Sequence, residues 1–227
     1  SVMPSLPGYD LYGTSQPASL TGGDTFDLAL LDQGLLIVLG DATGHGIGPA
    51  LSVTQMHAML RMAFRLGADL ETAFLQVNNQ LAATLADDRF ITAFIGLLDP
   101  ATHRLLFHSG GQAPILHFQA ATGTCAHYNP TSFPLAAMPL TALRPAVALD
   151  LMPGDILVLL SDGIYEYHDR HNEQFGEERV EALLRTHHGR RMSDLSGILL
   201  DAVQAFAQGA AQEDDITIVL VKRETAA

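Results

Sequence analysis

Residues 24–41 read DTFDLALLDQGLLIVLGD, two apolar runs joined by a short polar turn. The runs are Phe26–Leu31 and Leu35–Gly40, and each has the length and the residue types of a buried strand. Between them lies Asp32-Gln33-Gly34, which is typical of a compact hairpin turn. This stretch therefore predicts an antiparallel hairpin that is bounded by an aspartate at each end.

The rest of the chain is built from similar short apolar runs. Further strands are predicted at Tyr9–Thr14, Ile91–Leu98, Arg104–His108, Pro114–Phe118, Val147–Leu151, Ile156–Leu160 and Ile216–Val221. Helical spacing predicts helices over Leu51–Ala63, Leu70–Leu85 (with Asp69 as N-cap), Glu177–Thr186 and Ser193–Gln208, whereas Thr122–Arg144 is predicted to be irregular. Because hairpin-length loops dominate, we expect mainly antiparallel sheets in an α+β layered sandwich.

The composition excludes several classes of protein. The 227 residues suit one domain, and 48% hydrophobic residues provide for a sizeable core. The apolar runs fall short of the roughly 18 to 20 residues that span a bilayer, and no signal peptide pattern is present. A net charge of −13 repels nucleic acid, and the single cysteine, Cys125, fits a reducing compartment. We therefore expect a cytoplasmic protein that binds neither nucleic acid nor membrane.

Four aspartates stand at the ends of predicted strands. Asp41 and Asp162 follow apolar runs, whereas Asp24 and Asp214 precede them. Several carboxylates in such places repel one another unless cations neutralise them. Hard ions such as Mg²⁺ and Mn²⁺ prefer oxygen ligands of this kind. The pattern thus predicts a divalent cation site, although any single aspartate beside a glycine is also typical of a simple turn.

Other candidate motifs are weaker. Residues 44–48, GHGIG, lack the full glycine spacing of a dinucleotide loop, and the chain has no Gly-Lys-Ser/Thr of a P-loop. His168 with His171, and the pair His187-His188, have no cysteine or third nearby ligand, so a solvated surface is favoured over a zinc site.

Four motifs in fixed order resemble those of a known family. They are GGDTFD (Gly22–Asp27), GDATGHG (Gly40–Gly46), SDGIYE (Ser161–Glu166) and QEDDIT (Gln212–Thr217). Together they are similar to the metal-dependent PPM protein phosphatases, specifically the bacterial SpoIIE/RsbU-like branch, which His108–Gly111 also fits. The resemblance implies a four-layer α-β-β-α sandwich with two mainly antiparallel sheets. It divides the chain into a linker remnant (1–7), a phosphatase domain (8–223) and a tail (224–227).

The resemblance also implies two divalent cations, Mn²⁺ or Mg²⁺. Asp41 would bridge them, helped at one metal by the carbonyl of Ala42. Asp162 and Asp214 would complete the ligands of the second metal, and Asp24 would contribute to the first, directly or through water. Two such ions, about 3.5 to 4 Å apart, lower the pKa of a bound water. That water is the expected nucleophile, and Asp41 and Asp24 are the expected catalytic side chains.

Some positions differ from the wider family or receive no role. Eukaryotic members carry a phosphate-binding arginine near the amino terminus, but the first arginine here is Arg61, inside a predicted helix, so no such arginine is assigned. His45 is a candidate general acid because the pKa of histidine lies near neutral pH. Its offset from Asp41 differs from the eukaryotic Asp-Gly-His-Gly pattern, so a structural role is the alternative. Asp27 and Asp215 receive no defined role.

The function that the resemblance implies is a metal-dependent phosphoprotein phosphatase. The expected substrate is phosphoserine or phosphothreonine on a STAS-type anti-sigma factor antagonist in bacterial signalling. An upstream sensory or receiver domain is expected in the full-length chain, and homodimerisation is left open. Two alternatives remain: a phosphatase-fold module that binds the STAS-type partner without turnover, and a two-metal hydrolase of nucleotides or phosphodiesters, which the acidic charge disfavours.

Overall fold

The computed structural model describes residues 3–44, 46–86 and 88–225. Its strands in chain order are β1 (Tyr9–Gln16), β2 (Asp24–Leu31), β3 (Gly34–Ala42), β4 (Ile91–Asp99), β5 (Arg104–Gly110), β6 (Ile115–Gln119), β7 (Thr124–Tyr128), β8 (Val147–Asp150), β9 (Ile156–Leu160) and β10 (Ile216–Arg223). Its helices are α1 (Ile47–Arg65), α2 (Leu70–Thr84), α3 (Asp162–Tyr165), α4 (Gly176–His187) and α5 (Met192–Ala207). They form two compact units, each with one sheet.

The central unit comprises Ser19–Ala113 and Tyr128–Asp150. Its sheet has the strand order β2-β3-β4-β5-β8, and every neighbouring pair is antiparallel. Apolar side chains of α1 and α2 form one buried cluster with those of the sheet, such as Leu60 with Val38. The hairpin predicted from residues 24–41 is the β2–β3 pair, so that prediction is confirmed.

The terminal unit is built from the described parts of Ser1–Ala18, Pro114–His127 and Leu151–Ala227. Its strand order is β1-β10-β9-β6-β7, with β10 antiparallel to both β1 and β9 and β9 antiparallel to β6. Apolar residues of α4 and α5 pack on this sheet in a second buried cluster, such as Leu199 with Leu220. The first and last strands of the chain are therefore neighbours in one sheet.

The predicted α+β class with two mainly antiparallel sheets is confirmed. The segment Thr122–Arg144 was predicted to be irregular, and this is wrong for β7, whose sequence TCAHY lacks an apolar alternation and is held by its place beside β6. The single turn α3 was not predicted, because four residues are too short for a helical period to show. The predicted domain limits at residues 8 and 223 stay a prediction.

No helix in the described ranges combines the length and the hydropathy that a bilayer-spanning segment needs.

Local capping signals position the two helices of the central unit. The Asp69 carboxylate accepts a hydrogen bond from the backbone N–H of Thr72 at 2.7 Å, as expected of an N-cap, and the cap prediction is confirmed. Gly67 follows α1 with φ of +83° and donates its N–H to the carbonyl of Phe64 at 3.0 Å. Such a left-handed residue ends a helix, so α1 and α2 are separated where the sequence indicates.

His108 on β5 is fully buried in the central unit, where its ring packs on Phe74. Burial lowers the pKa of this imidazole, and the charge of Glu71, 3.8 Å from Nε2, offsets only part of that effect. The unfolded chain therefore binds more protons than the folded one as the pH falls below about 6.5. The free energy of unfolding should drop across that range, by about 1.4 kcal/mol for each unit of pKa depression.

Urea unfolding at pH 5.5 and pH 7.5 measures this effect. We expect His108→Gln to flatten the pH dependence, because glutamine does not titrate. His171→Gln is the matched control at an exposed loop position, and it should leave the slope as in the wild type. An equal slope in wild type and His108→Gln would contradict the assignment to His108.

Candidate active site

The β2–β3 hairpin places Asp24 directly opposite Asp41. Opposed residues of an antiparallel pair have Cβ atoms about 4.5 to 5.5 Å apart, so both carboxylates lie at the same end of the hairpin. Like charges in that relation disfavour each other, and a bound cation relieves the repulsion. The structure thus brings together two of the predicted metal ligands within the central unit.

Several oxygen atoms lie close to Gly23 beside this pair. A Cβ atom built on Gly23 would lie 2.8 Å from the carbonyl oxygen of Ala42, 3.0 Å from that of Gly44 and 3.5 Å from Oδ1 of Asp41. The N–H of Ala42 also donates to the carbonyl of Gly23 at 3.1 Å, which holds the two backbones close. The close approach leaves no room for a side chain at Gly23, and the carbonyl and carboxylate oxygens gathered beside it are of the kind that a hard divalent cation prefers.

Asp162 and Asp214 lie in the terminal unit and act on one another. Asp162 is the first residue of α3, and Ser161 alone separates it from the end of β9. Burial raises the pKa of the Asp162 carboxyl, and the negative charges of Asp214 and Glu166 raise it further. Carboxylates that disfavour each other's ionisation in this way gain from a bound cation.

Asp162 and Asp214 line an acidic cavity of about 230 Å³. Its lining residues are Asp162, Gly163, Glu166, Tyr167, His168, Asp169, Asn172, Ala210, Ala211, Glu213 and Asp214. Reasoning from sequence placed Glu166 and Glu213 in the family motifs but assigned them no role. His168, expected at a solvated surface, lines the cavity as well. The carboxylates make this cavity a place for cations or for cationic groups, not for a bare anion.

Hydrogen bonds hold the Asp214 loop in place. Oδ1 of Asp214 accepts the N–H of Asp215 at 2.8 Å, and the Gln212 side chain donates to the carbonyls of Asp214 and Gln16 at 2.8 and 2.9 Å. The buried carboxylate of Asp215 accepts the N–H of Ala18 at 2.8 Å. Asp215 therefore fixes the segment that leaves β1, a role that the sequence did not reveal.

Asp27, the other aspartate without a predicted role, joins α1 to β2. Arg61 donates from Nε and Nη2 to its two oxygens at 2.5 and 2.7 Å, and His57 Nε2 lies 2.8 Å from Oδ2. Burial alone raises the pKa of Asp27, but the hydrogen bonds and charges of His57 and Arg61 outweigh it and leave the pKa below its usual value. Asp27 therefore has a structural role, because its ion pair with the Arg61 guanidinium joins α1 to β2.

Neither carboxylate pair is joined by a third ligating side chain of a described residue. Across residues 3–44, 46–86 and 88–225, no three side chains of His, Cys, Asp or Glu converge closely enough to hold an ion. Mg²⁺ is commonly held by one or two protein carboxylates and several waters, so pairs of this kind fit it. His45, the candidate general acid, lies outside the described residues.

The family profile described as Stage II sporulation protein E (SpoIIE) matches residues 32–224. The chain belongs to the SpoIIE family. A curated relative is protein IcfG of Synechocystis sp., which is 23% identical over 249 aligned positions. That alignment covers 97% of this chain and 39% of IcfG, so the SpoIIE-family chain spans about two fifths of its relative's length.

Solved structures of similar fold include three with high structural similarity. The SiaA-PP2C domain of Pseudomonas aeruginosa has a TM-score of 0.80 at 19% identity, covering 93% of this chain and 84% of that one. The RsbU and RsbW domains of Rv1364c from Mycobacterium tuberculosis have a TM-score of 0.78 at 22% identity, and the match covers 99% of this chain and 62% of that one. RsbX, solved in complex with magnesium, has a TM-score of 0.72 at 14% identity, and the match covers 97% of this chain and 98% of that one. This SpoIIE-family chain therefore has a PP2C-type phosphatase fold, and the predicted SpoIIE/RsbU-like membership is confirmed.

Proposed function

We propose that this SpoIIE-family domain is a metal-dependent phosphatase that hydrolyses phosphoserine and phosphothreonine in proteins. The observation that carries the proposal is the cross-strand pair Asp24 and Asp41 beside the carbonyl oxygens of Ala42 and Gly44 that lie close to Gly23. The second carboxylate pair, Asp162 and Asp214, supports it because the raised pKa of Asp162 marks a position where a cation stabilises the charged form.

The side chains divide the work of holding two divalent cations, Mn²⁺ or Mg²⁺. Asp41, Asp24 and the carbonyl of Ala42 would hold the first cation, and Asp162 and Asp214 would hold the second. When bound, the cations supply positive charge and an activated water as nucleophile for phosphate ester hydrolysis. His45 remains the proposed general acid.

A cysteine nucleophile has no support in this chain. Burial raises the pKa of the Cys125 thiol to about 11, and the nearby Glu181 carboxylate adds to the effect while Arg185 opposes it. A thiol with that pKa is almost wholly protonated at neutral pH and is a poor nucleophile. Direct attack by water is therefore the mechanism that the side chains favour.

The proposed substrate is a phosphorylated STAS-type protein, by similarity to the SpoIIE/RsbU-like branch. A sensory or receiver domain is proposed as the regulatory partner in the full-length protein, and a bacterial cytoplasmic signalling role goes with it. Homodimerisation is an open part of this proposal.

Hydrolysis of p-nitrophenyl phosphate tests the proposal after metal removal with a chelator. We expect activity to return with Mn²⁺ or Mg²⁺ and to disappear again with excess chelator. Metal binding should also raise the melting temperature, since a ligand at 100 times its Kd stabilises the folded state by about 2.7 kcal/mol. Equal activity with and without chelator would contradict the proposed mechanism.

The same assays separate the alternatives. A metal-loaded wild type that binds a phosphorylated STAS-type protein but turns over neither it nor the aryl phosphate would favour a binding module. Hydrolysis of nucleotides or phosphodiesters in place of phosphoserine would favour the other two-metal hydrolase.

A further inference from the structure

Arg89 stands at the end of the central sheet that carries Asp41. The N–H of Thr43 donates to the carbonyl of Phe90 at 3.0 Å, and the N–H of Phe90 donates to Oγ1 of Thr43 at 3.2 Å. Asp41 lies opposite Thr92 in the β3–β4 pair, so the chain that leads into β4 passes the loop that follows Asp41. These bonds fix the backbone of Arg89 beside that loop.

The side chain of Arg89 crosses to the first turn of α1. A Cβ atom built on Gly48 would lie 2.7 and 2.8 Å from the two terminal nitrogens of Arg89. The guanidinium therefore rests directly against Gly48, and a residue without a side chain is what permits this contact. Arg89 is half-buried there, so its charge is held at one place on the central unit.

Several arginines of the chain bind partners within the protein, whereas the side chain of Arg89 binds none among the residues that the structure describes. Partners hold Arg61 (Asp27), Arg104 (Asp150), Arg179 (carbonyls of Gln174 and Phe175), Arg185 (Glu181) and Arg223 (carbonyl of Leu151). The Arg89 guanidinium makes no ion pair or hydrogen bond with any residue in the described part of the chain. Its donors are thus available to a ligand.

The negative charge of the protein makes a positive group useful for binding an anionic substrate. The protein carries a net charge of −13, and a phosphate monoester that approaches Asp24 and Asp41 is itself an anion. The negative charge of the protein repels such an anion, and a positive group beside the Asp41 loop offsets that repulsion. The planar fork of a guanidinium matches two phosphoryl oxygens at once, and arginine keeps its charge at every working pH.

We propose that Arg89 binds the phosphoryl group of the substrate, an inference that rests on the proposed phosphatase function. Gly48 is the positioning residue, because its lack of a side chain lets the guanidinium lie on the first turn of α1. Reasoning from sequence assigned no phosphate-binding arginine, and Arg89 fills that role from a different part of the chain.

Inhibition by inorganic phosphate is the direct measure of this contact. With p-nitrophenyl phosphate and saturating Mn²⁺, we expect Arg89→Ala to raise both KM and the inhibition constant for phosphate by about 10- to 100-fold, the range of a charged hydrogen bond. Arg89→Lys should restore part of the loss, because a point charge replaces a two-pronged donor.

Two further variants make the test specific. Arg65→Ala removes the same charge at the other end of α1, about 26 Å from Gly48 at 1.5 Å per residue, and should leave both constants within twofold. Gly48→Ala displaces the Arg89 tip, which is flexible enough for the protein to fold, and should weaken phosphate inhibition while the charge is kept. In the Arg89→Ala background, Gly48→Ala should have no further effect on phosphate inhibition, as expected for residues that act through one contact.

The outcomes test the role of Arg89 and the proposed phosphatase function separately. An inactive metal-loaded wild type would overturn the proposed function and this inference with it. An active wild type whose phosphate inhibition is unchanged in Arg89→Ala would overturn the inference alone. So would a variant that is impaired only on a phosphoprotein, since Arg89 would then contact the protein part of the substrate. If Arg89→Ala fails to fold, Arg89→Lys and Gly48→Ala decide by the same constants.

Discussion

Replacing Asp41 with asparagine is expected to lower kcat/KM for aryl phosphate in saturating Mn²⁺ by about 10³-fold, or about 4 kcal/mol. The amide loses the negative charge and one strong oxygen ligand of the proposed cation site. The fold should survive, because Asp41 ends the β2–β3 hairpin opposite another carboxylate and removing one of two like charges relieves repulsion.

The matched control for this prediction is Asp32→Asn. Asp32 lies in the turn at the opposite end of the same hairpin, eight residue steps or about 26 Å along the strand from Asp24. We expect the Asp32 variant to keep full activity and the full rise in melting temperature with Mn²⁺, and the Asp41 variant to lose both. An Asp41→Asn protein within tenfold of wild type would show that Asp41 does not hold the cations.

Gly163→Ala is expected to destabilise the terminal unit by about 3 kcal/mol or more, the upper range for overpacking. A Cβ atom on Gly163 would overlap the carbonyl oxygen of Asp215. That carbonyl also accepts the hydroxyl of Ser161 at 3.1 Å, and Ser161 is bonded in turn to Thr217. The atom that the Cβ would meet belongs to the backbone and is held by a hydrogen bond. The overlap can therefore be relieved only by moving α3 away from β10.

Gly197→Ala provides the control in the same unit. Gly197 lies inside α5 and has open space where a Cβ would go, so alanine should be neutral or should stabilise by up to about 1 kcal/mol. Urea unfolding of the two variants measures the difference. A loss in Gly163→Ala no larger than that in Gly197→Ala would contradict the close approach. Since the shift also separates Asp162 from the Asp214 loop, we expect metal binding to weaken in any Gly163→Ala protein that folds.

The sequence alone was enough for features that local patterns encode. Apolar runs and a short polar turn specify the β2–β3 hairpin, and Asp69 and Gly67 set the limits of the helices on either side of them. Four motifs in order identify the family, which the profile over residues 32–224 confirms. These signals lie within a few residues of one another, and short-range periodicity and backbone preference are enough to read them.

Only the tertiary structure decided which distant residues meet. The register of β2 on β3 sets Asp24 opposite Asp41, and packing of α1 on the sheet pairs Arg61 with Asp27. The contact of Arg89 with Gly48 has no local signature, because it depends on where the chain entering β4 passes the start of α1. Such pairs are chosen by the burial of whole faces, a global property that no window of sequence contains.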